Sequence, residues 1–178
     1  LYQEKTLELL PMSYTEPVIK EISPIRVMSI RETGEYEETI GRLICDLCAI
    51  GQAGSQSGLR IVGPPMTIYH DGEYKEKDAD IEVALPILGR VTTSDERIRV
   101  SVLNGGRFLS LIYKGPYIGI HEGWSRIYAY AAEKGLTMSI PGREQYLNDP
   151  AGVPEHELMT EILLPVTGEQ ESLYVSAV

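Results

Sequence analysis

The sequence is poor in cysteine, in basic charge and in long apolar runs, and each shortage excludes something. Two cysteines in 178 residues cannot supply a disulfide framework. Leu1–Leu10 carries Glu4 and Glu8 and has no basic segment followed by an apolar one, so it does not read as an export signal. Together these features point to a reducing, cytoplasmic setting. Sixteen Lys and Arg stand against 26 Asp and Glu, a net charge of -10. That balance argues against nucleic acid as a direct partner, since phosphate binding needs clustered basic side chains. No stretch approaches the roughly 18 apolar residues of a membrane span. No Gly-x-Ser-x-Gly, phosphate loop or dinucleotide fingerprint occurs, and Gly51-Gln-Ala-Gly-Ser lacks the Lys-Ser/Thr ending of a phosphate cradle. His70, His121 and His156 lie far apart without ligand spacing. Cys45 and Cys48 form a Cys-x-x-Cys deep inside a helical pattern, not at a helix start, and there is no second pair to complete a zinc site. They read as buried small hydrophobes. No metal and no cofactor are expected.

What is present is a globular composition, 43% hydrophobic and 24% charged, and a repeat. Ile19–Tyr36 (IKEISPIRVMSIRETGEY) aligns without a gap on Val100–Tyr117 (VSVLNGGRFLSLIYKGPY). Ser29 falls on Ser110, Arg26 on Arg107, Gly34 on Gly115, Tyr36 on Tyr117 and Pro24 on Gly105. Further on, Met66-Thr67-Ile68 is matched to Met138-Ser139-Ile140, and Glu82–Pro86 (EVALP) to Glu161–Pro165 (EILLP). Between these anchors lie two loops, Gly51–Gly58 in the first copy and the longer Pro141–Glu155 in the second. Insertions in loops with anchors kept in strands suit a duplicated fold.

Each copy reads as strand, helix, strand, strand. Alternation predicts strands over Val27–Arg31 and Phe108–Tyr113. A Gly-x-Tyr turn leads into helices at about Tyr36–Ile50 and Ile118–Lys134, the second closed by Gly135 as its C-cap. Leu-Pro is expected to stop the last strand of each copy. The fold class is therefore α+β, a duplicated strand–helix–strand–strand module with pseudo-twofold symmetry and a central ligand cleft. Residues 1–16 read as an N-terminal extension and 17–167 as the domain, with repeats 18–88 and 98–167; 168–178 read as a tail. Leu88–Arg97 is the linker. Proline-ended strands leave no clear pairing edge, so a monomer is expected.

The pieces VMSIRETGEY and FLSLIYKGPY, with the closing EVALPI and EILLPV, resemble the GyrI-like family over roughly Val18–Val166. That family includes effector-binding domains of AraC- and MerR-type transcription regulators and stand-alone small-molecule-binding proteins. The resemblance implies paired strand–helix–strand–strand modules around a cleft. It implies that a buried glutamate of the final strand, by position Glu161, meets cationic aromatic ligands in the drug-binding members. It also allows a hydrolase that opens reactive cyclopropane-bearing compounds. Unlike the regulators, this sequence has no room for a helix-turn-helix ahead of Val18 and no basic recognition helix. It reads as a stand-alone binding protein, or as a sensor domain if cut from a longer chain.

Glu161 sits among Leu158, Met159, Ile162, Leu163 and Leu164. On pattern alone it either faces water or is buried for a purpose, since an unpaired buried carboxylate is costly. The resemblance favours the second. Its repeat mate Glu82 would reach the same seam, and the pair could then act as general acid and base if the protein is an enzyme. Aromatic residues gather in the second half. Trp124, Tyr113 and Tyr146 are assigned to the pocket wall, joined by Tyr128, which shares a helix face with Trp124, and by His121. Tyr36 and Tyr117, at matching turns, read as structural. The leading function is a sensor or sequestering protein for an aromatic, cationic or neutral, small molecule. Hydrolysis in the same cleft is the alternative. Inhibition of a protein partner such as DNA gyrase is a weaker one.

Overall fold

The architecture is that of a computed structural model, in which the described residues are 12–167. The tail 168–178 and most of the extension 1–16 lie outside them. In chain order the elements are β1 (Ser13–Tyr14), β2 (Val18–Ile22), β3 (Ile25–Gly34), α1 (Tyr36–Gly54), β4 (Arg60–Ile61), β5 (Met66–Tyr69) and β6 (Ala79–Leu88). Then follow β7 (Arg99–Leu103), β8 (Gly106–Lys114), α2 (Ile120–Glu133), β9 (Thr137–Met138), β10 (Gly142–Tyr146) and β11 (Met159–Thr167). All strands pair antiparallel in one sheet of order β1-β8-β11-β10-β5-β6-β3-β7, with β2 on β8, β4 on β6 and β9 on β11. The leading strands are exchanged: β2 precedes β3 but pairs with β8, and β7 precedes β8 but pairs with β3. The two turns cross where a Cβ on Gly105 would strike the Ile22 carbonyl and Pro24. The middle of the sheet is the β5–β10 pair, where the two halves meet.

Strand alternation sorts side chains between two faces. Met28 and Ile30 of β3 and Ile81, Val83, Leu85 and Ile87 of β6 pack under α1, whose inner face carries Leu43 and Leu47. Leu109, Leu111 and Tyr113 of β8 and Ile162, Leu164 and Val166 of β11 pack under Ile127 and Ala131 of α2. The opposite face carries a smaller core of Val27, Met66, Ile68 and Ala84. It also carries the intervening residues of β6 and β11, among them Glu82 and Glu161.

Several sequence expectations are corrected. The first helix runs past Ile50 to Gly54, and Ser55–Ser57 add a 3-10 turn, so half of the expected Gly51–Gly58 loop is helical. Packing explains the glycines there. A Cβ on Gly51 would lie 2.6 Å from Ile61 Cδ1, and one on Gly54 2.7 Å from Leu59 Cδ2. Close approach of the following chain overrides low helix propensity. The prolines do not end the last strands. Pro86 pairs with Val27 and Pro165 with Phe108, and their carbonyls accept from Val62 N and Ser139 N, both at 2.9 Å. A proline keeps its acceptor, so the strand continues and takes a new neighbour on its carbonyl side. Part of the extension is a strand, Ser13–Tyr14, held on β8.

The largest correction concerns Pro141–Glu155. It is not a plain loop, since it contains the central strand β10. Met138 accordingly does not correspond to Met66. Met138 pairs with Val166, as Ile61 pairs with Ile87. Against the matched strands β6 and β11, Met66 stands opposite Ala84 where Arg143 stands opposite Leu163. In this register Thr67 corresponds to Glu144 and Tyr69 to Tyr146. At the second helix the expectation holds: Gly135, at φ 67, closes α2, with Leu136 N donating to Ala131 O and Gly135 N to Ala132 O.

Candidate functional site

A cleft of about 500 Å³ opens over the central β5–β10 pair on the helix face. One wall is α2, which presents Ile120, His121, Trp124 and Tyr128 at helical spacing. The other is Tyr36 at the start of α1 with Tyr74 of the β5–β6 connection. Aromatic rings form a continuous arc around it. Tyr74 stacks on Tyr36 at 5.4 Å, Tyr36 meets Tyr69 at 5.7 Å, Tyr69 stands edge-on to Trp124 at 5.9 Å, and Trp124 meets Tyr128 at 5.7 Å.

At the floor lies Glu144, only 4% exposed. Its Oε1 accepts from Trp124 Nε1 at 2.6 Å, and its Oε2 accepts from the hydroxyls of Tyr69 at 2.7 Å and Tyr146 at 3.0 Å. Tyr146 also shares a 2.7 Å hydrogen bond with Thr67 Oγ1. All these partners are neutral. Among the described residues no lysine, arginine or histidine forms an ion pair with Glu144. Burial raises its carboxyl above the ordinary value, and the three donors offset only part of that. Burial and the adjacent carboxylate likewise push the Tyr69 and Tyr146 phenols well above 10. A desolvated carboxylate with neutral donors and aromatic walls has the chemistry to hold a positive charge.

The rim is fixed by local contacts. Lys75 N donates to the Tyr36 hydroxyl at 3.1 Å, Lys75 Nζ pairs with Asp71 at 2.7 Å, and Asp80 N donates to the other Asp71 oxygen at 2.7 Å. These bonds hold the Asp71–Tyr74 segment at the mouth of the cleft.

The sequence-assigned residues divide between the faces. Trp124, Tyr128 and His121 line the cleft, and Tyr146 holds its floor. Tyr113 is fully buried beneath α2, its hydroxyl donating to Pro116 O at 2.6 Å, and does not line the cleft. Glu161 and Glu82 lie on the other side of the sheet. Lys20 Nζ and Ser110 Oγ donate to Glu161 Oε2 at 2.7 and 2.8 Å. Glu82 meets His70 Nε2 at 2.6 Å and accepts from Ser29 at 2.7 Å. Both carboxylates are therefore already partnered. They do not share a seam: β11 and β6 are separated by β10 and β5, about 14 Å at ordinary strand spacing. Cys45 is exposed, against the expectation of a buried pair, and Cys48 is half-buried against the first core.

Glu144, Tyr69 and the Asp71–Tyr74 segment were not singled out by sequence reasoning, and Tyr36, read there as structural, lines the cleft. The available signal was the match of Tyr69 with Tyr146, visible only once the strand register is right.

The model for the GyrI-like small molecule binding domain matches residues 15–167. EcmrR, in the cryo-EM structure of the EcmrR–DNA complex in EcmrR-RPo, is 27% identical with a TM-score of 0.76 over 88% of this chain. This chain spans 58% of the length of that EcmrR chain. The crystal structure of the EcmrR C-terminal domain gives 26% identity and a TM-score of 0.75, over 86% of this chain and 98% of its own. SAV2435, solved bound to tetraphenylphosphonium, shares the fold at 16% identity and a TM-score of 0.52, over 86% of this chain and 95% of its own. No curated protein sequence matches at a significant level. The chain belongs to the GyrI-like family, as a GyrI-like small molecule binding domain.

Proposed function

We propose that the cleft binds an aromatic, lipophilic cation, with Glu144 as its counter-charge. The observation that carries this reading is that Glu144 is buried at the floor of an aromatic cleft with three neutral donors and no cationic partner among the described residues. A bound cation supplies the missing charge, and each ring it faces adds about 0.5–2 kcal/mol. Oε2 already accepts two hydrogen bonds. The site therefore suits a diffuse cation with few donors better than a primary ammonium, which must find three acceptors. The tetraphenylphosphonium bound to SAV2435 is a cation of this type.

The role in the cell is sensing, as the effector-binding part of a regulator. The support is the likeness to the C-terminal domain of EcmrR, a protein solved in complex with DNA. Hydrolysis is the less supported reading. Glu82 and Glu161 are engaged on the far face, and among the described residues no second carboxylate is bonded to Glu144. We further infer that the two halves are copies of one unit about an axis through the β5–β10 pair. Exchanging corresponding elements reverses the order β2-β8-β11-β10-β5-β6-β3-β7, which supports this.

Calorimetric titration with tetraphenylphosphonium and the neutral triphenylphosphine oxide tests the binding reading. Wild type should bind the cation, and at 100 times its Kd gain about 2.7 kcal/mol of stability. Glu144→Gln should lose at least about tenfold in affinity for the cation and keep its affinity for the neutral probe. Equal binding of the cation by wild type and Glu144→Gln would remove Glu144 from its role. Failure of wild type to bind either probe would sink the cleft itself.

A further inference from the structure

Gly142, the first residue of β10, is buried directly beneath the Trp124 indole. A Cβ at this position would lie 2.8 Å from Trp124 Cη2, closer than Cβ atoms stand, and a tight 3.2 Å from Cζ3. The backbone does not call for glycine here, because Gly142 is absent from the positive-φ residues. The missing side chain is what matters. Nor is the indole free to move aside. Its Nε1 is tied to Glu144 Oε1 at 2.6 Å, Tyr69 packs edge-on at 5.9 Å, and Tyr128 lies at 5.7 Å. Lifting the ring to admit a methyl group would move it into the cleft and stretch the bond that orients the carboxylate.

We propose that Gly142 is a positioning and specificity-determining residue. Its bare backbone seats the Trp124 indole low, so that Nε1 holds Glu144 and the space above stays open to a ligand of several aromatic rings. This rests on the binding reading given above. A residue with a side chain here would produce a shallower cleft with a displaced carboxylate, suited to smaller ligands.

The test is Gly142→Ala, alone and combined with Trp124→Phe, with tetraphenylphosphonium as probe. Trp124 is the single tryptophan of the chain, so its emission reports the ring's seat before any ligand is added. Gly142→Ala should shift the emission of the empty protein and weaken tetraphenylphosphonium binding by about tenfold, the loss of one charge-assisted hydrogen bond. In the Trp124→Phe background, where the outer ring atoms are gone, the alanine should change affinity by no more than about twofold. Wild-type emission and affinity in Gly142→Ala would overturn the proposal. So would an affinity loss that persists undiminished beside Trp124→Phe. If wild type binds no cation while Gly142→Ala still shifts the emission, the ligand reading fails and the seating of Trp124 stands. Should Gly142→Ala not fold, recovery of the fold in the double variant supports the clash, and its continued absence refutes it.

Discussion

Thr67 and Glu144 stand directly opposite each other across the β5–β10 pair, in matching positions of the two halves. The matching tyrosines, Tyr69 and Tyr146, both donate to the glutamate, and Tyr146 also reaches the threonine. The two strands thus carry different residue types at the middle of the sheet. With threonine on one strand and glutamate on the other, a single carboxylate stands where two would repel. The surrounding donors converge on it from both halves and from α2.

Cation affinity should rise with pH. Burial holds the Glu144 carboxyl above its ordinary value, so folding without ligand shifts it toward the protonated form relative to the unfolded chain. That preference stabilises the fold below the unfolded value and fades as pH rises through the folded one. A cation prefers the ionised form, so binding strengthens across that same interval and releases a proton within it. Calorimetry in two buffers of different ionisation heat reads the proton directly. Identical heats in both buffers throughout the weakly acidic range would contradict the assignment, as would the same proton release in Glu144→Gln.

Tyr69→Phe removes one of the two donors on Glu144 Oε2 and leaves Tyr146 at 3.0 Å. A hydrogen bond to a charged group contributes about 1.5–3 kcal/mol, so denaturant unfolding at neutral pH should show a loss of that order. The lost donor served the ionised carboxylate. The midpoint of the pH–affinity profile should therefore move upward. An unchanged or lower midpoint would mean that the hydroxyl does not hold the charge.

The strands that bury apolar residues were legible in the sequence, and the strand that carries the site was not. β3, β6, β8 and β11 are largely apolar and buried beneath the helices, and the sequence places them within a few residues. β10 reads GREQY and lies in a stretch rich in Gly, Pro, Asn and Asp, the composition of a loop. Its polar residues are the reason it matters. Glu144 faces the cleft, while Arg143 is buried on the other face against Phe108 and donates to Asn104 O at 2.7 Å. A strand that is central and polar breaks the hydrophobic pattern on which strand reading depends. The sequence points instead to Glu161. Glu161 stands in a plainly apolar strand, where burial is legible, but Lys20 and Ser110 approach it from chain segments that the sequence does not bring near. Trp124 and Tyr128 both line the cleft, because helical spacing fixes a shared face without knowledge of the sheet.

Glu161→Gln should leave ligand binding unchanged. Its side chain lies on the sheet face opposite the cleft and is held by Lys20 and Ser110. The Lys20 side chain is 41% exposed, so solvent screens its share of the pair. The expected cost is about 1 kcal/mol of stability, with tetraphenylphosphonium affinity within about twofold of wild type. A drop in affinity as large as that of Glu144→Gln would return Glu161 to the binding site and displace the geometry argued above.

Tyr74 separates stability from binding. It is 79% exposed, so the fold gains little from it, and Tyr74→Ala should change unfolding free energy by no more than about 0.5 kcal/mol. Yet its ring stacks on Tyr36 at the mouth of the cleft, on the segment tied down by the Asp71–Lys75 pair. A cation entering between the walls meets this ring face, a contribution of about 0.5–1 kcal/mol at an exposed site. Affinity should fall about two- to fivefold, with dissociation accelerated more than association. Tetraphenylphosphonium titration and stopped-flow quenching of Trp124 fluorescence measure both. If affinity is untouched, the first wall ends at Tyr36 and the ligand sits deeper, between Tyr69, Trp124 and the carboxylate.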